Sequence, residues 1–148
     1  MPKFLTVIFA TLLATGTLPA GSAQDEETLV FILAGQSNMV RQGDTAALSR
    51  DLRRLPPNVR YYLDGEAAGI TAGNRFGPAV TFANELSEAY PEKTIVLIKF
   101  ALGGSSLLAW APDWTREAAG LTENQGQGPL YRRLMEHVAS SRSAHPQN

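Results

Sequence analysis

Two unbroken apolar runs, residues 28–33 (TLVFIL) and 94–100 (TIVLIKF), constrain this chain more than any other feature. Both are rich in β-branched residues and phenylalanine and too short for a typical helix. They carry no polar alternation, so each reads as a strand covered on both faces, the pattern of a parallel sheet with helices above and below. Each run ends in small and polar residues, Ala34-Gly35-Gln36-Ser37-Asn38 after the first and Gly103-Gly104-Ser105-Ser106 after the second. Residues 59–63 (VRYYL) form a weaker third strand before the turn at Asp64-Gly65. Gly77-Pro78 opens a helix, since proline is tolerated in a first helical turn. Val80, Phe82, Ala83, Leu86 and Tyr90 then recur at helical spacing until Pro91. A second amphipathic helix covers residues 129–141, with Leu130, Leu134 and Val138 on one face. Residues 41–58, 64–77 and 110–128 read as loops. Strand, loop, helix, strand, loop, helix predicts an α/β domain with helical crossovers. Two strong strands and one weak one are few for such a sheet, and the sequence stops after a helix. The domain is therefore expected to be incomplete on its C-terminal side.

The first 23 residues read as an export signal. Lys3 supplies the positive start, residues 4–13 (FLTVIFATLL) the short apolar core, and Gly21-Ser22-Ala23 the small residues of a cleavage site. The apolar run falls short of the roughly 20 residues of a membrane span. Cleavage after Ala23, an exported location and no stable membrane insertion are the expectations. The 148 residues contain no cysteine, which excludes a disulfide framework, a thiolate metal site and a lipid-modified cysteine. Two histidines, His137 and His145, are too few for an ordinary zinc site, so neither metal nor cofactor is expected. A net charge of −1 offers no electrostatic case for nucleic acid.

The chemistry concentrates at the ends of the two strong strands, where open α/β sheets bind their ligands. The first strand runs into Gly35-Gln36-Ser37-Asn38, which places Ser37 at that edge. A helical turn starting there would aim its N–H groups at negative charge, and the hydroxyl could attack a carbonyl while the Ser37 N–H helps hold the oxyanion. The alternative is a serine that only caps a turn. After the second strand, a backbone N–H at Gly104 could reach the same oxyanion because no side chain blocks the approach. The alternative there is a plain strand-to-helix turn. The two readings require the strands to be adjacent and parallel.

Taken in order, FILAGQSNM, FGPAVTFANEL, IKFALGGSSLLAW and PLYRRLMEHV resemble the sialate O-acetylesterase-like branch of the SGNH hydrolases, carbohydrate esterase family six, from about Leu29 to about Val138. The resemblance implies a three-layer α/β/α fold with a mostly parallel sheet. It also implies a metal-free serine mechanism that removes acetyl groups from carbohydrate esters. The family's nucleophile falls on Ser37, and its backbone oxyanion donors fall on Ser37 and Gly104. Gln36, Asn38 and Trp110 become candidate substrate contacts. The chain departs from the family pattern at Arg41, which follows Val40 where a glycine is common, and at Ala79, where glutamate is common after Gly-Pro. The family's later Trp-x-Gln-Gly-Glu and Asp-x-x-His segments are absent from these 148 residues. His137, on a helix, and His145, in the tail, read as helix and surface residues rather than as substitutes for the family's base. Asp44, Asp64 and Asp113 read as turn or cap residues, and Arg41 and Arg75 as solvated loop arginines. Trp110 and Trp114 either wall the site or plug the sheet edge. The expectation is an exported N-terminal part of such an esterase. By itself it would hydrolyse poorly, or would act as a carbohydrate-binding pseudoenzyme.

Overall fold

The computed structural model describes residues 27–71, 73–121 and 125–144, so residues 1–23, expected to be an export signal, and His145 lie outside the described residues. Among the described residues, six strands and four α-helices follow in chain order. They are β1 (Thr28–Gly35), α1 (Ser37–Val40), β2 (Gly43–Asp44), β3 (Val59–Leu63), β4 (Glu66–Ala67), β5 (Arg75–Phe76), α2 (Ala79–Ala89), β6 (Thr94–Ala101), α3 (Arg116–Ala119) and α4 (Leu130–Ala144). The main sheet runs β1-β6-β3-β4; β1, β6 and β3 are parallel and β4 closes the edge antiparallel. The two apolar runs are thus neighbours, in register from Thr28 opposite Thr94 to Gly35 opposite Ala101. The chain lays down β1 and β3 first and fits β6 between them afterwards. A separate two-stranded ribbon pairs β2 with β5.

Alternation along β6 sorts the core into two layers. Ile95 and Leu97 face α2, where they meet Val59, Tyr61, Val80 and Ala83. Val96, Ile98 and Phe100 face the α4 side, with Tyr62, Leu130 and Leu134. This is helix, sheet, helix: the alternation of elements predicts the α/β sheet with its crossovers, and the family resemblance implies the three layers. Asn58 ties the layers at the start of β6. Its Nδ2 donates to the carbonyls of Tyr90 and Lys93, both at 3.1 Å, and its Oδ1 accepts from Ser87 Oγ at 2.6 Å. Lys93 pairs with Glu27 at the same end.

Five local expectations need correction. Residues 28–33 are parallel but not buried on both faces. Val30 and Ile32 are 49% and 50% exposed, because β1 is an edge strand and α4 packs on β6 and β4 instead. Residues 64–77, read as a surface loop, contain β4 and β5 and bury Ile70 in the α2-side core. The polar stretch 41–58 supplies β2, the partner of β5, and residues 110–128 contain α3. The last helix runs to Ala144, three residues beyond its expected end, and buries Ser141, whose Oγ donates to the His137 carbonyl at 2.8 Å. No helix among the described residues is long and apolar enough to cross a membrane.

Candidate active site

Ser37 stands where β1 stops. Gly35, the last residue of the strand, has φ +157°, and a Cβ on it would sit 3.0 Å from Met39 Cβ. A side chain there would push the following turn away, so glycine lets the chain fold straight from strand into α1. The carbonyl of Gln36 accepts from Met39 N at 2.9 Å and from Val40 N at 3.1 Å. The expected helical turn at Ser37 is therefore present. The Gln36 side chain caps it as well. Its Oε1 accepts from Ser37 N at 2.8 Å and from Ser37 Oγ at 2.6 Å.

The β6 end is zipped to this turn. Leu102 N donates to the Gly35 carbonyl at 3.0 Å, which continues the β1–β6 ladder one step past the strands. Gly103 follows, and a Cβ there would lie 4.0 Å from Ser37 Cα. Gly104 turns with φ +72°, left-handed backbone that favours glycine. Ser105 Oγ donates to the Leu102 carbonyl at 2.8 Å and accepts from Trp110 Nε1 at 2.9 Å. The structure thus brings Ser37 and Gly103 together at the carboxyl edge of the sheet, where the two parallel strands deliver them side by side, with Gly104 next in the loop.

The remaining candidates distribute as follows. Asn38 lies inside the turn beside Ser37. Trp110 packs its ring at a tilt against Phe100, centroids 5.6 Å apart, so it flanks the Gly-Gly-Ser-Ser loop as part of the α4-side apolar cluster. Trp114 packs against Gly128, and its carbonyl accepts from Arg132. His137 sets its ring tilted against Phe100, centroids 4.8 Å apart, and its Nδ1 against Gly65, while Arg133 lies over the same Phe100 ring at 5.1 Å. His137 is therefore a packing residue of α4, with its contacts on the β3–β4 turn and β6. Asp44 caps the turn after β2 through Ala46 N at 2.9 Å, and Asp64 occupies a left-handed turn position. Arg75 reaches the Gln42 carbonyl at 3.4 Å. Among the described residues no three His, Cys, Asp or Glu side chains gather as a metal-binding group.

Sequence reasoning passed over two residues near the site. Gln127 sets its Nε2 3.9 Å from the place a Gly104 Cβ would occupy. The polar run around it looked like loop filler. Lys99 is 1% exposed, and its Nζ donates to the Val40 carbonyl at 2.5 Å. The available signal was a lone cation in an otherwise apolar strand.

The arrangement offers a hydroxyl at a strand-to-helix turn with a glycine-rich backbone loop against it. That combination suits attack on a carbonyl with backbone stabilisation of the oxyanion. The family model described as "Carbohydrate esterase, sialic acid-specific acetylesterase" matches residues 27–145. No curated protein matches the sequence.

Proposed function

The chain belongs to the carbohydrate esterase, sialic acid-specific acetylesterase family, and from that premise we propose that it is an exported serine hydrolase that deacetylates carbohydrate esters through an acyl-Ser37 intermediate. The observation that carries this reading is the juxtaposition of Ser37 with the loop that begins at Gly103, at the ends of paired parallel strands. In the first step Ser37 Oγ bonds to the acetyl carbon, its proton passes to a general base, and the carbonyl oxygen gathers charge toward the N–H groups of Ser37 and Gly104. The sugar hydroxyl then leaves with a proton, and water releases acetate from the serine. Gln36, Asn38 and Trp110 flank the entering sugar. Gln36 has a second part: its Oε1 holds both Ser37 N–H and Oγ–H, so the substrate carbonyl must displace it before the oxyanion can form.

That same contact favours one other reading. Ser37 Oγ–H is held by an amide oxygen, which is not a base, and a chain whose serine stays so engaged would bind acetylated sugar without cleaving it. One experiment separates the two. Wild-type protein mixed with an acetylated sugar should carry one acetyl group on Ser37 by mass spectrometry, and Ser37→Ala should lose both the adduct and turnover while folding normally. Ser37→Ala with undiminished hydrolysis would remove the nucleophile assignment; sugar binding with neither adduct nor turnover in the wild type would select the binding reading. Export has its own check: protein recovered from its host should begin near Gln24.

A further inference from the structure

β6 is apolar through its buried length except for Lys99. That residue lies on the α2 side of the sheet with Ile95 and Leu97 and is 1% exposed. A buried ammonium normally requires a counter-charge. Among the described residues Lys99 forms no ion pair; its Nζ donates instead to the carbonyl oxygen of Val40 at 2.5 Å. Val40 ends α1, the turn that Ser37 opens. Gly77 completes the contact from a third segment. A Cβ on Gly77 would lie 2.6 Å from Val40 O and 3.2 Å from Lys99 Nζ, so any side chain there would force the pair apart.

We propose that Lys99 is a positioning residue for Ser37: its ammonium ties the carbonyl end of the Ser37–Val40 turn to the central strand of the sheet and so holds Oγ in place against the Gly103-Gly104 loop. The inference rests on the reading of Ser37 as nucleophile. Two features argue against simple packing. A hydrophobic residue of the same length would fill the space without the desolvation that a buried charge incurs. And the lysine comes from the strand that carries Gly103-Gly104, so one element sets both halves of the site. Burial, with the Arg41 guanidinium adding repulsion and Asp64 opposing it, brings Lys99 down to about 8. Tyr61, on β3, is pushed up to about 12 by burial and stays neutral across that range.

The test compares wild type, Lys99→Met and Gly77→Ala as full chains, by carbonyl and amide NMR of the Ser37–Val40 turn and by acetyl-ester hydrolysis. In the wild type the Val40 carbonyl resonance should titrate with a midpoint near pH 8. In Lys99→Met the titration should vanish and the Ser37 amide should shift, with the rest of the spectrum dispersed as in wild type. In hydrolysis, Lys99→Met should lower kcat about tenfold or more, as expected for a displaced reacting group. KM should stay within about twofold, because sugar contacts are untouched. The wild-type kcat should also fall as pH rises through about 8, a limb the variant lacks. A Val40 carbonyl that does not titrate, or a Lys99→Met enzyme with wild-type kcat, overturns the proposal. Gly77→Ala should reproduce the Ser37 amide shift. Failure of the nucleophile reading would appear separately, as undiminished hydrolysis in Ser37→Ala, while the carbonyl titration reports on the Lys99 tether regardless of turnover.

Discussion

Lys99 imposes a pH dependence on stability whose sign follows from its environment. Its folded value, near 8, lies below the unfolded 10.5, so between these limits the unfolded chain holds more protons than the folded one. Stability therefore rises with pH across that window, because the charge that burial disfavours is being lost. Tyr61 acts in the opposite sense above pH 10: the folded phenol keeps its proton up to about 12 while the unfolded one releases it, so stability falls there. Urea midpoints should climb from about pH 8 toward 10 and then decline. Lys99→Met should flatten the climb and leave the decline. A flat wild-type profile across the lower window would contradict this. At this scale the position of Ser37 at a strand-to-helix turn was legible, because an apolar run leading into Gly-Gln-Ser is a local pattern. Gln36 as the partner of both Ser37 donors was not, since the side-chain direction depends on the turn's geometry. The contact of Lys99 with Val40 was invisible, because its acceptor lies 59 residues away in sequence.

The helices and strands sort by how many neighbours each must satisfy. β6 has a strand on both sides and helices on both faces, and its six residues from Ile95 to Phe100 are all buried. A continuous apolar run meant what it usually means there. In β1 the same composition was misleading, because one edge and part of one face lack a partner among the described residues. α4 followed its periodicity. Leu130 is 0% exposed, packed with Phe100 and Ala109, whereas Met135 on the same helix is 46% exposed. Leu130→Ala should accordingly cost about 2–5 kcal/mol through lost burial and a residual cavity. Met135→Ala should stay within about 0.5 kcal/mol of wild type. Denaturant unfolding of the two variants measures the contrast; equal losses would mean that α4 does not dock as described.

For the molecule as a whole, the sheet face around β1 is the exposed consequence of its strand order. Val30, Val96 and Ile98, with Ala139 and Arg142 of α4, line a groove of about 800 Å³, and Ile32 on the same strand is 50% exposed. A patch of this kind should bind an apolar dye such as ANS, and the double variant Val30→Thr, Ile32→Thr should reduce the fluorescence while keeping β propensity. Unchanged dye binding would place the apolar surface elsewhere. What could be read directly from the chain were the local quantities: strands at residues 28–33, 59–63 and 94–100, helices after Gly77-Pro78 and Pro129, and a serine at a strand-to-helix turn. Each depends on residues within a few positions of one another. The insertion of β6 between β1 and β3, the half-exposure of β1, the β2–β5 ribbon, the capping of Ser37 by Gln36 and the Lys99–Val40 tether emerge only on folding. They depend on which elements meet, and apolar runs of like composition pair equally well in several orders until helix packing and chain connectivity choose among them.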